Sequence, residues 1–260
     1  MKQNLLLAAT IAAATVFAQT ENLALPNIGG TVFSSAGSSA DAIKQTVEDF
    51  RTAIGNPLNA PGPNGNPAGR REINWDAVPD ALSSPNALPA DFFNKNSVRG
   101  AVFSGPAKGW IGFQVSGNEG IGPLRFENLG AGYSQLFQVF SAQRLFTSVG
   151  TNDYDVDFFV PGTQDRGSVS GFGAIFANVA IATTSSIELF SADGISLGKY
   201  YVRVAPKGLS FLGVTFPGKI VAKVRVTPGT VAPGEPDDPA SGKNIVVVDD
   251  FFYGEPVKRS

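Results

Sequence analysis

The strongest constraint on the fold is a rhythm of short apolar runs that begins near Gly100 and continues to Tyr253. The candidate strands are Ala101–Phe103, Trp110–Val115, Leu136–Phe140, Val156–Val160, Ser168–Phe176, Ser186–Phe190, Ser196–Val204, Leu209–Phe216, Ile220–Val226 and Ile245–Tyr253. They recur about every 10–15 residues with Gly, Pro, Asn or Asp between them, the punctuation of strands and turns. Asp193-Gly194 separates two of the runs, and Asp-Gly is a strong hairpin signal. Ile220, Ala222, Val224 and Val226 alternate with Val221, Lys223, Arg225 and Thr227. Successive side chains on a strand point to opposite faces, so such a run has one buried and one wet face. The pattern predicts an all-β fold, an antiparallel β-sandwich. It is expected to be jelly-roll-like, because about ten strands exceed a minimal immunoglobulin-type count.

Composition narrows the chemistry. The chain has no Cys and no His, which removes disulfides, Ser-His-Asp triads, Cys nucleophiles and zinc held by imidazole or thiolate. What remains is carboxylate chemistry, Ser-Lys chemistry and hard-cation binding. Twenty Phe stand against five Tyr and two Trp. Phe packs without a hydrogen-bond partner, so the excess points to a large apolar core rather than a surface of stacking platforms. The net charge is −2 with no basic stripe, which argues against nucleic acid as a partner.

The first residues read as a secretory signal peptide. Lys2 precedes an apolar run from Leu5 to Phe17, with small residues near Ala18. That run is shorter than the roughly 20 residues a membrane span needs, and no later segment is longer. The expected location is therefore secreted or periplasmic after cleavage near Ala18, with no transmembrane segment in the mature chain. Residues 19–37 read as a loose leader. Ile43, Val47, Phe50 and Ile54 then share one helical face, which predicts one short N-terminal amphipathic helix over about 39–54. Gly55 and Pro57 end it. Residues 56–69 hold four Pro, four Asn and three Gly and read as an extended loop. The expected organisation is a signal peptide at 1–18, an N-terminal arm at 19–69 and a β-sandwich domain at 70–260.

The segments VSGFGAIFANV, SIELFSADGISLG, GLSFLGVTFPGKIVAKVRV and IVVVDDFFYGEP fall within Ser168–Gly254 and its edges. This stretch resembles the β-sandwich domain of uncharacterised exported bacterial proteins, many of which end in a PEP-type sorting tail. Its closing strand also resembles the last strand of carbohydrate-binding and laminin-G/MAM-like jelly rolls. The resemblance implies a jelly-roll C-terminal region and no particular reaction. The sequence departs from the sorted members after Tyr253-Gly254-Glu255-Pro256, where no apolar helix or basic tail is expected.

Asp249-Asp250 is the most distinctive polar feature. Neighbours on a regular strand point to opposite faces, so only one carboxylate is expected to face the core, and there it needs a partner. One reading is an oxygen-ligand calcium site formed by Asp249 or Asp250 with Glu72 or Asp76. The other is that the pair ends the strand in hydrogen bonds to a turn. Asp153, Asp155 and Asp157 fail the calcium-loop pattern, with Phe158 where Gly is needed and Gln164 where Glu is needed. They read as a solvated strand face. Trp75, flanked by Arg71 and Asn74, is the candidate ligand-binding cluster. The plainer alternative has Arg71–Glu72 as a surface ion pair and Trp75 plugging the end of the sandwich.

These features are consistent with a secreted, non-catalytic module that binds a glycan or other extracellular polymer. A structural or adhesive envelope component making protein contacts is the first alternative. A carboxylate-based glycoside hydrolase is the second, and it requires two carboxylates converging in one cleft.

Overall fold

In the computed structural model the described residues are 29–259; the expected signal peptide lies outside them. The chain begins with β1 (Thr31–Gly37), α1 (Ala40–Ile54), β2 (Arg70–Ile73), α2 (Phe92–Lys95), β3 (Ala101–Ser104) and β4 (Gly112–Val115). It continues through α3 (Tyr133–Leu136), β5 (Phe146–Val149), β6 (Tyr154–Phe158), β7 (Gly167–Ser168), β8 (Gly171–Val179) and β9 (Ser186–Phe190). The last elements are β10 (Ser196–Tyr201), β11 (Ala205–Thr215), β12 (Lys223–Thr227), β13 (Val247–Gly254) and β14 (Val257–Lys258).

Two antiparallel sheets form the sandwich. The first runs β1-β11-β8-β13-β5-β4, with β2 also paired to β13. The second runs β10-β9-β12-β6-β3, and β7 and β14 make a small separate ribbon. From β3 onward the chain crosses repeatedly between the sheets, pausing only for the β4–β5 and β9–β10 hairpins, which gives the jelly-roll-like winding. The β9–β10 turn is the Asp193-Gly194 one, with Gly194 at φ +77°, a conformation that glycine reaches without steric cost.

The strand alternation explains which faces are dry. Between the sheets lie Phe103, Phe146, Phe172, Val224, Phe251 and Tyr253. A second core forms on the other face of the first sheet, where Ile43, Val47, Phe50 and Ile54 of α1 pack on Ile175, Phe211 and Phe252. All nine residues of β8 are buried because its sheet is covered on both sides. The outer face of the second sheet is polar. There Asp157 stands opposite Lys223 and Asp155 opposite Arg225, and Arg225 meets Asp155 at 2.8 Å and 3.0 Å. Asp155 and Asp157 thus sit on a strand face with cross-strand cations, and Asp153 lies just before the strand.

Phe50 seats in a dimple made by glycine. Gly173 and Gly213 are cross-strand partners, and a Cβ on either would come within 2.7 Å of the Phe50 ring. Gly213→Ala is therefore expected to cost about 1–3 kcal/mol, as overpacking usually does, read as a lower urea midpoint. A change below about 0.5 kcal/mol would show that α1 slides freely on the sheet.

Several expectations need correction. Residues 31–37 are not a loose leader: they form β1, in register with β11 from Thr31↔Thr215 to Gly37↔Leu209. With α1 packed on the same sheet, residues 31–54 belong to the sandwich rather than to a separate arm. Leu136–Phe140 is not a strand; α3 and the irregular segment after it cover the outer face of the first sheet. Arg70–Ile73 and Phe146–Val149 are strands that the apolar rhythm does not reveal.

Candidate functional site

The site forms where β2 meets β13. Their register sets Glu72 opposite Phe252 and Arg71 opposite Tyr253, so alternate residues of β2 face opposite ways. Glu72 shares the α1 side with Phe252. There Arg51, in the last turn of α1, donates to Glu72 through Nε at 3.0 Å and Nη2 at 2.7 Å. Arg70 adds a third bond to Glu72 at 2.7 Å, and the Arg51 guanidinium lies 4.9 Å over the Phe252 ring.

Arg71 turns the other way and is only 1% exposed. Its Nε and Nη2 donate to Glu255 at 2.5 Å and 2.7 Å, and Nη1 donates to the Ala60 carbonyl. Glu255 also accepts from Asn59 Nδ2 at 2.8 Å and from the Asn66 amide at 3.0 Å. The expected Arg71–Glu72 surface pair is corrected: Arg71 is a buried partner of Glu255 and offers nothing to a ligand. Together the two residues pin the 56–69 loop to the sandwich.

Trp75 is likewise not a stacking platform. It is 1% exposed, stacked on Phe146 at 4.3 Å, with Nε1 donating to the Asp249 carbonyl at 2.7 Å. An indole inside the sandwich, its one donor engaged, has no face left for a sugar. The plainer reading of Trp75 is the one the structure displays. Asn74, beside it, is exposed.

A register shift between Val248 and Phe251 interrupts the β13–β8 ladder at Asp249 and Asp250. This irregularity defeats the simple alternation argument, and both carboxylates are buried, 0% and 3% exposed. Asp249 accepts from the Phe140 amide at 2.6 Å. Asp250 accepts from Ser141 Oγ at 2.7 Å, and the same hydroxyl stands 3.5 Å from Asp249. Burial, reinforced by the Asp250 charge, holds the Asp249 carboxyl well above its ordinary range. Burial likewise pushes Asp250 up to about 6. Asp76 accepts from the Arg144 amide at 3.2 Å, and burial raises its carboxyl too.

For calcium, the four candidates Asp249, Asp250, Glu72 and Asp76 already accept protein N–H and O–H groups. Glu72 would have to release two arginines to bind a cation. Among the described residues no group of three or more Asp, Glu, His or Cys is arranged to hold a metal.

Arg51, Glu72, Asn74, Ser141 and Asp250 line one cleft of about 460 Å³, together with Arg99 and the apolar wall of Leu58, Ala60, Pro61 and Phe140. The structure thus brings Glu72, Asn74 and Asp250 together and leaves Arg71, Trp75 and the wholly buried Asp249 behind the wall. Sequence reasoning missed the polar lining residues Arg51, Asn59, Arg99 and Ser141 as well as the apolar wall. A second depression of about 470 Å³ lies between Tyr133, Lys207 and Asp237, but the Asp237 carboxylate there is engaged by the Ile245 amide and by Asn244.

No family model matches the sequence, and no curated protein matches it. Among solved structures the chain is similar to a mutant of a family 29 carbohydrate-binding module, studied for its mechanism of ligand recognition. The identity is 9%, the alignment covers 59% of this chain and 91% of that one, and the TM-score is 0.26. A superposition that loose carries no argument about the site, and the β-sandwich rests on the strand pairings themselves.

Proposed function

We propose that this protein is an exported, non-catalytic module that binds a glycan in the cleft between β2, the 56–61 segment and the Phe140–Ser141 turn. The observation that carries the reading is the composition of that wall. Guanidinium, carboxylate, amide and hydroxyl groups stand side by side, and Arg51 and Glu72 hold each other in place. A sugar presents hydroxyls that both donate and accept, and rings with an apolar C–H face. Preset donors and acceptors beside Leu58 and Pro61 match both needs. Groups ordered by the protein also cost less to order when the ligand arrives.

The hydrolase alternative needs two carboxylates free to exchange protons across a glycosidic bond. Asp250 is raised toward the range of a general acid. Glu72 is a poor second member, because both its oxygens accept guanidinium N–H groups. The envelope-contact alternative is favoured by one feature: among the described residues no strand pairs with the outer edge of β1, and Val32 on it is 47% exposed.

A glycan-array measurement on the purified protein tests the proposal, followed by titration of the best ligand against Asn74→Ala. Among the described residues the Asn74 side chain has no hydrogen-bond partner, so the variant should fold normally and bind about tenfold more weakly, near the value of one or two polar contacts. Binding is expected to be equal in calcium and in EDTA, since the carboxylates are already satisfied. An unchanged affinity in Asn74→Ala would move the site elsewhere. Absence of any glycan binding, with self-association at micromolar concentration, would favour the β1 edge and the envelope reading.

A further inference from the structure

Within the cleft, the cations differ in how they are neutralised. Arg51 pairs with Glu48 and Glu72, and Arg70, just behind, pairs with Glu72. Arg99 is the exception: among the described residues no carboxylate lies within ion-pair distance of it. Its Nε donates to the Glu72 carbonyl at 2.9 Å and its Nη1 to Ser97 Oγ. Both acceptors are neutral, and the guanidinium lies 5.7 Å over the Phe93 ring. It is half-buried, and that burial, with the positive charge of nearby Arg71, lowers its pKa. A partly desolvated charge is expensive unless paired. The cleft's carboxylates do not quench it, for Glu72 is taken by Arg51 and Arg70, and Asp250 is bonded to Ser141. A guanidinium is a planar fork whose natural complement is a carboxylate held by two parallel bonds.

Resting on the glycan reading above, we propose that the ligand is an acidic saccharide, a uronate-containing chain whose carboxylate lies against Arg99. The neutral polar groups, Asn74 and Ser141, then take ring hydroxyls, and Leu58 and Pro61 take the C–H face. Arg99 supplies the choice between an acidic and a neutral sugar of the same backbone. Leaving a charge unpaired in the free protein lowers stability while raising affinity, a common trade at binding sites.

The test is calorimetric titration of the purified protein with oligogalacturonate and oligomannuronate, each beside its carboxyl-reduced counterpart. The reduced oligomers keep the backbone and lose only the charge. At least one acidic oligomer is expected to bind ten- to a hundredfold more tightly than its reduced form, the span of a charge-assisted hydrogen-bond pair. Arg99→Gln should abolish that difference while changing the reduced oligomer's affinity less than about threefold. Its unfolding midpoint should fall only by the small loss of two neutral hydrogen bonds and the contact with Phe93, since no ion pair is lost. Equal binding of acidic and reduced oligomers to the unaltered protein would overturn the inference and leave the glycan reading standing. So would a preference that survives Arg99→Gln. Failure of all oligomers to bind, when the array is also negative, would overturn both.

Discussion

Glu255→Gln is expected to destabilise the protein by about 3–5 kcal/mol and to lower its unfolding midpoint by roughly 10 °C. The reason is what the change leaves behind. Arg71 is 1% exposed, and without the Glu255 charge its guanidinium is left as a buried charge with no carboxylate opposite it. The amide of Gln cannot accept the two parallel bonds that Glu255 takes at 2.5 Å and 2.7 Å, nor hold Asn59 and the Asn66 amide as well. Arg71→Met in the same background should recover a substantial part of the loss, because removing both charges is much cheaper than removing one. A double-mutant cycle by urea denaturation measures this directly. If Glu255→Gln costs less than about 1 kcal/mol, the pair is not shielded from water as described. If the double variant recovers nothing, the cost lies in the lost anchoring of the 56–69 loop. That loop supplies Leu58, Asn59, Ala60 and Pro61 to the cleft, so glycan affinity should fall along with stability in either case.

How much of this was legible in the sequence depends on the length of each signal. The helix showed itself because four apolar residues fall at helical spacing between Ile43 and Ile54, and all four are buried in α1. The strand Ser186–Phe190 and its Asp-Gly turn were legible for the same reason, a local pattern with a local cause. Phe146–Val149 and Arg70–Ile73 were not: each is a four-residue strand, and Thr, Ser, Arg and Glu fill the positions where alternation would have appeared. Thr31–Gly37 carries Ser34, Ser35, Ala36 and Gly37 after a short Val32-Phe33 start, so its membership of the first sheet rests on its pairing with β11. Leu136–Phe140 misled in the opposite direction. Phe137 is buried in the core and Leu136, Val139 and Phe140 pack against it, but they cap a sheet from outside, and short apolar runs do not declare which structure carries them.

The site was legible only where one residue type demanded explanation. A carboxylate pair inside an apolar strand had to be held by something, and Asp249 and Asp250 are held by Phe140 and Ser141. The identity of those donors lies 109 residues away in sequence, beyond any local pattern. The same holds for Arg51, which reaches Glu72 over 21 residues, and for Arg99, which reaches it over 27. The ladder irregularity at Asp249–Asp250 was invisible because it comes from tertiary pairing, and it is what places both carboxylates beside one hydroxyl. Trp75 was drawn toward a surface role by its polar neighbours, yet its ring follows Ile73 inward while Asn74 alone faces out.

Those two aspartates also set the second large effect, an inverted dependence of stability on pH. Asp250 titrates near 6 in the folded protein and near 3.8 as an ordinary carboxyl. The folded state therefore keeps a proton that the unfolded chain releases, so the contribution to stability is fully present below about pH 4 and is lost as pH rises through about 6. Asp249, raised well above its ordinary range by burial and by its neighbour's charge, acts with the same sign. The loss assignable to Asp250 is on the order of 3 kcal/mol. Asp157 is also raised by its own burial and acts with the same sign, whereas Glu127, lowered by hydrogen bonds from Ser134, works the other way in acid, so the measurement must be differential. Urea unfolding of the unaltered protein and of Asp250→Asn, at intervals from about pH 4 to about pH 8, isolates the group. The asparagine carbonyl can still accept from Ser141 but carries no charge. The variant should match the parent near pH 4 and exceed it by a few kcal/mol near pH 8. Parallel curves would mean that Asp250 reaches water in the folded state and titrates as an ordinary carboxyl. A growing advantage of the variant toward alkaline pH would show that charge accumulating beneath Phe140–Ser141 is what loosens this wall of the cleft, and glycan affinity in the parent should then decline over the same range.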